Sequence, residues 1–128
     1  MYVISTDAFE LATLGGRVLL AGTEATLDEL RGTLALLPEK ARGQVFVEVP
    51  SAADILPLAA PSRMVVTWLT RDTRSGEPGT CLPCERGQAL RRAVRAWVGE
   101  MSTDSEHDDG DAVRVWFAGD TYREVSAV

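Results

Sequence analysis

No run of 18 or more apolar residues occurs in the chain, so no segment is built to cross a membrane as a helix. The opening MYVISTDAFE lacks a basic segment followed by an apolar core, so no secretory signal is read there. Cysteine is scarce. Cys81 and Cys84 are the only two, and without a signal they point to a reducing, cytoplasmic setting in which a structural disulfide is not expected. Basic charge is also short, 13 Lys and Arg against 19 Asp and Glu, a net −6 that argues against nucleic acid as a partner. The single histidine, His107, stands in an acidic stretch, which leaves no plausible Ser/His/Asp or Cys/His catalytic set. No Gly-x-Gly-x-x-Gly occurs. What remains, 128 residues of which 45% are hydrophobic, is enough for one compact domain with its own core.

The apolar residues present are arranged periodically. RVLLAG (17–22) is an almost wholly apolar run, as expected in a parallel sheet covered on both faces. Leu27, Leu30, Leu34 and Leu37 then recur at helical spacing until Pro38 stops them, and Thr26 with Glu29 reads as a capping box starting the helix near Leu27. QVFVEV (44–49) and MVVTWL (64–69) are two further strands, joined by a small-residue connection with room for a turn or two of helix before Pro57. A long Gly- and Pro-containing loop leads to QALRRAVRAWVGE, where Leu90, Ala93, Val94, Trp97 and Val98 share one face. AVRVWFAG (112–119) is a fourth strand. The alternation predicts an α/β domain: a doubly wound, Rossmann-like, mostly parallel sheet of four to five strands. Little chain follows the last strand, so one sheet face is expected to be covered by MYVIST folding back over it or by a second subunit. A homodimer is the expectation.

The stretch RVLLAGTEATLDEL (17–30) passes from strand to helix at Gly22, where a doubly wound protein would hold phosphates. Glu24, Asp28 and Glu29 place three carboxylates in that turn, and carboxylates compete with phosphate for a helix N-terminus. Both readings stand: a phosphate cradle, or a capped connection with acids on the helix dipole. Glu48 closes the second strand 26 residues after Gly22, either positioned for a ribose hydroxyl or solvated at the strand end. CLPC (81–84) precedes a helix, the setting that favours thiolate in thioredoxin-like proteins, but follows a long loop rather than an early strand. It reads as an incidental pair, a redox pair, or, with His107, part of an irregular metal set. MSTDSEHDDGD fails the EF-hand pattern, with Ser105 and His107 where acids belong, and reads as a solvated loop. Arg91, Arg92 and Arg95 form an outer helix face, solvated or docked to an acidic partner.

The succession LLAGTEATLDEL, VFVEVPSAADILPL, VTWLTR and VWFAGD resembles the C-terminal NAD(P)H-binding domain of siderophore-interacting proteins, which are flavin-dependent ferric-siderophore reductases. The likeness runs over roughly residues 9 to 120 in order and spacing. It implies NADPH or NADH as cofactor, with Gly22, Thr23 and Thr26 at the phosphate turn and Glu48 near the ribose. Trp68 and Arg71 would lie along the nucleotide, Arg63 and Arg74 near a 2′-phosphate, and Ala118, Gly119 and Asp120 beside the nicotinamide. The departures are specific. The family's Gly-Asp-Glu-Thr-Ala-Leu-Pro turn reads Gly22-Thr23-Glu24-Ala25-Thr26-Leu27-Asp28 here, which moves the hydroxyl one place and puts Asp28 at the proline. No counterpart of the family's flavin barrel or terminal helix is expected among these 128 residues. The expectation is therefore a single NAD(P)H-binding-like domain that binds no FAD, needs a flavoprotein partner, and has no ferric-siderophore reductase activity alone. The alternatives are a non-enzymatic dimeric binding or regulatory module on the same fold, or a small thiol–disulfide protein built on Cys81 and Cys84.

Overall fold

The computed structural model describes residues 2–5, 17–76, 78–104 and 113–118. Among the described residues five strands form one parallel sheet: β1 Tyr2–Ser5, β2 Arg17–Thr23, β3 Arg42–Val49, β4 Arg63–Thr70 and β5 Val113–Phe117, in the spatial order β1-β5-β2-β3-β4. Helix α1 (Leu27–Leu36) joins β2 to β3, and helix α2 (Gln88–Asp104) joins the β4 side to β5. Single 3-10 turns at Glu24–Thr26, Ala52–Asp54 and Arg71–Thr73 follow β2, β3 and β4.

The near-continuous apolar runs of β2 and β3 reflect burial on both faces, as parallel sheets require. Alternate residues divide between two cores. Val18, Leu20, Val45, Val47, Val49 and Met64 meet Leu30, Leu34 and Leu37 under α1. Leu19, Ala21, Leu69 and Val115 meet Ala89, Leu90 and Val94 under α2. The leucine stripe and the apolar α2 face predicted from spacing are thus the faces that pack, at about 1.5–3 kcal/mol for each fully buried Leu or Val. The doubly wound sheet has five strands, the upper end of the expected number.

Two local expectations are corrected. MYVIST does not fold back over a sheet face: Tyr2–Ser5 extends the sheet as an edge strand, in register with Val113–Trp116 of β5. Its backbone groups gain a ladder there, which a segment lying flat on side chains would not. The Thr26–Glu29 capping box does not form, because Thr26 makes no side-chain cap to α1. Its hydroxyl turns back to Thr23, closing a capping box on the 3-10 turn instead. Among the described residues no helix is long and apolar enough to cross a membrane. Since all five strands run the same way, Thr23, Val49, Thr70 and Phe117 end at one edge of the sheet, where ligands of open α/β sheets bind.

Candidate functional site: the carboxyl-end crest of the sheet

Gly22 is required first by packing. A Cβ there would lie 2.6 Å from Leu30 Cδ1 and 2.7 Å from Thr26 Oγ1, so the glycine lets α1 and its turn close onto β2. The turn is then tied to itself. The Thr23 N–H donates to Thr26 Oγ1 at 3.0 Å, the Ala25 N–H donates to Thr23 Oγ1 at 3.3 Å, and Thr26 Oγ1 donates to the Thr23 carbonyl at 3.3 Å. Two backbone N–H donors and both threonine hydroxyls of this turn are therefore engaged locally. Asp28 and Glu29 are exposed, and Asp28 lies 3.6 Å from Arg31.

Glu48 departs from both sequence readings, for it is neither solvated nor free for a ribose. It is 0% exposed and lies under the start of α2, where Oε2 accepts from the Gly87 N–H at 2.6 Å and Oε1 from the Leu90 N–H at 3.1 Å. A carboxylate there satisfies two amides of the helix start, which have no intrahelical partner, and complements the positive end of the helix dipole.

Arg71 links this buried acid to the turn. From the 3-10 turn after β4 its Nη2 donates to Glu24 Oε1 at 2.6 Å, while Nε lies 3.5 Å from Glu48 Oε2. The guanidinium thus reaches across the end of β3 to the end of β2, with the Arg71 side chain 14% and Glu24 31% exposed. The pair is incompletely satisfied: Glu24 Oε2 and Arg71 Nε are both buried without a hydrogen-bond partner. Unmatched buried donors and acceptors are unfavourable by about 1–3 kcal/mol each.

The other expected residues divide by position. Trp68 packs partly buried against the α1-side core. Arg63 opens β4 at the opposite end of the sheet, roughly 23 Å from the crest at about 3.3 Å per residue, so it does not belong to this site. Arg74 is exposed in the loop beyond Arg71. The Ala118 N–H donates to the Ala21 carbonyl at 2.9 Å, carrying β5 alongside β2 toward the Gly22 turn. Gly119, Asp120 and His107 lie outside the described residues. Cys81 is exposed and Cys84 buried, both as free thiols on the loop between β4 and α2. Arg92 is more than a solvated helix charge: it donates to the Ser75 carbonyl at 2.6 Å and the Gly76 carbonyl at 3.0 Å.

Residue-by-residue reading missed the pairing of Glu24 with Arg71. Its signal was topological, since each residue stands immediately after a strand and parallel strands end together.

These features accompany clear similarity to known proteins. The family model described as siderophore-interacting protein matches residues 16–127. Ferric vibriobactin reductase ViuB of Vibrio cholerae is 29% identical over 68 residues, covering 53% of this chain and 25% of that protein. An uncharacterised protein of Mycobacterium tuberculosis is 37% identical over 57 residues, covering 44% of this chain and 20% of that one. The crystal structure of a siderophore utilization protein from T. fusca superposes with a TM-score of 0.50 at 25% identity, covering 80% of this chain and 33% of that one. The chain spans about a quarter of the length of the curated relatives it matches.

Proposed function

Since this chain belongs to the siderophore-interacting protein family, we propose that it is the nicotinamide-nucleotide-handling domain of a ferric-siderophore reductase system. In this reading it holds NADPH or NADH at the crest and presents the nucleotide to a flavin carried by a partner. ViuB, similar over part of its length, is a ferric vibriobactin reductase, which supports iron release from a siderophore as the setting. The nucleotide supplies a hydride when bound, and the protein's task is to bind and orient it.

The observation that carries the reading is the incompletely satisfied Glu24–Arg71 ion pair at the carboxyl edge of the sheet. Arg71 is a planar donor suited to two phosphate oxygens at once. A phosphate taking the place of Glu24 would give the Arg71 side chain a better-matched acceptor. The release of Glu24 would let its unpaired oxygen be hydrated. The Gly22 turn borders the same space. Glu48 holds α2 in place beneath Arg71 and so fixes where the guanidinium can stand, without touching the nucleotide.

Titration calorimetry of the purified chain with NADPH and then NADH tests this. Micromolar binding that weakens in Arg71→Ala is the expected result. Absence of binding at millimolar nucleotide would overturn it, leaving a fold retained for another binding role.

A further inference from the structure

The loop between β4 and α2 carries a separate chemistry. Ser75 and Pro83 pair in an antiparallel bridge. The Gly76 N–H donates to the Leu82 carbonyl and the Cys84 N–H to the Arg74 carbonyl, both at 2.8 Å. This narrow hairpin gives two thiols opposite surroundings. Cys84 is buried: its Sγ donates to the Ser75 carbonyl at 3.2 Å, and Arg92 Nη1, from α2, stands 3.6 Å from the same sulfur. Cys81 is exposed at φ 57°, a left-handed conformation that residues with a Cβ rarely adopt. It borders a cavity of about 530 Å³, whose lining includes Asp72, Ser75, Pro78, Leu82 and Pro83.

We propose that Cys81 and Cys84 form a thiol–disulfide exchange site in which Cys81 attacks small disulfides entering this cavity and Cys84 resolves the product. The roles follow from access, because an exchange begins at the thiol a reagent can reach. The Cys81 thiol gives its proton to solvent and attacks one sulfur of the reagent disulfide. That S–S bond breaks, a Cys81 mixed disulfide forms and one thiolate leaves. Cys84 then gives up its proton, with the Arg92 guanidinium beside the sulfur where negative charge develops, and attacks Cys81 Sγ. The second thiolate leaves. Two protein thiols are oxidised to one disulfide and one reagent disulfide is reduced to two thiols. Only two residues separate the cysteines, so closing the ring requires their Cα atoms to come within the roughly 4–7 Å window of a disulfide. Ring closure removes the hydrogen that Cys84 donates to Ser75, so oxidation releases the sulfur side of the hairpin.

The test uses the reduced full chain with excess oxidised glutathione, quenched with acid and read by intact mass. The expected product is the chain lighter by about 2 Da, the two thiol hydrogens, with two glutathione thiols released per chain. Cys84→Ala should stop at a glutathione adduct on Cys81. Cys81→Ala, altered only at an exposed position, should stay unmodified while folded, as checked by circular dichroism. A wild-type chain that stops at the mixed disulfide, fails to react, or reacts no faster than Cys81→Ala overturns the proposal. None of these outcomes depends on nucleotide binding.

Discussion

Arg71 Nη2 donates to Glu24 Oε1 at 2.6 Å, so a residue that follows β4 is bonded to one that follows β2 across the intervening end of β3. The two are 47 positions apart in the chain. This contact ties the ends of β2 and β4 together, and it gives the proposed function a sign that mutations can read.

If phosphate replaces Glu24 at Arg71, the two partners have opposite effects on affinity. Arg71→Ala should raise the Kd for NADPH about tenfold, roughly 1.4 kcal/mol. Glu24→Gln, which weakens the competing ion pair, should lower the Kd about threefold, roughly 0.7 kcal/mol. Calorimetry on both variants checks this, and equal weakening in the two would count against displacement.

Glu48→Gln should destabilise the fold by about 2–4 kcal/mol, because the amide replaces one acceptor by a donor facing a backbone N–H in a buried site. The loss is expected as a lower urea midpoint at unchanged slope. An unchanged midpoint would mean that Gly87 and Leu90 find other acceptors.

Gly22→Ala places a methyl group within 2.6 Å of Leu30 Cδ1. Overpacking of this kind is unfavourable by about 1–3 kcal/mol. Thermal melting should show it without any nucleotide present, which separates the glycine's packing role from a ligand role.

Arg92→Ala removes the donor that binds the Ser75 and Gly76 carbonyls and stands beside Cys84 Sγ. In the native wild-type chain iodoacetamide should label Cys81 and spare Cys84. The variant should label Cys84 about tenfold faster, equivalent to roughly 1.4 kcal/mol of easier local opening. Peptide mapping after brief alkylation gives the ratio.

The sequence by itself determined the elements and which face of each is apolar. Leu30, Leu34 and Leu37 recur every three or four residues, and Val45, Phe46, Val47 and Val49 are β-favouring, so local periodicity and alternation decide helix, strand and the layered α/β class before any long-range contact forms. It also carried the family, through four segments in order. It could not decide what a lone carboxylate does. Glu48 and Glu24 are both acids near the end of a strand, and nothing within a few residues of either separates them. The fold separates them: the start of α2 and the Gly87 before it deliver the Leu90 and Gly87 amides to Glu48, and the shared direction of β2 and β4 delivers Arg71 to Glu24. Cys84 and Arg92 likewise meet only because α2 packs back beside its own loop. Propensity and spacing act over one or two turns of chain. Burial of a charge, and the partner that makes it tolerable, depend on groups brought together from tens of residues apart, and only the tertiary structure decides those.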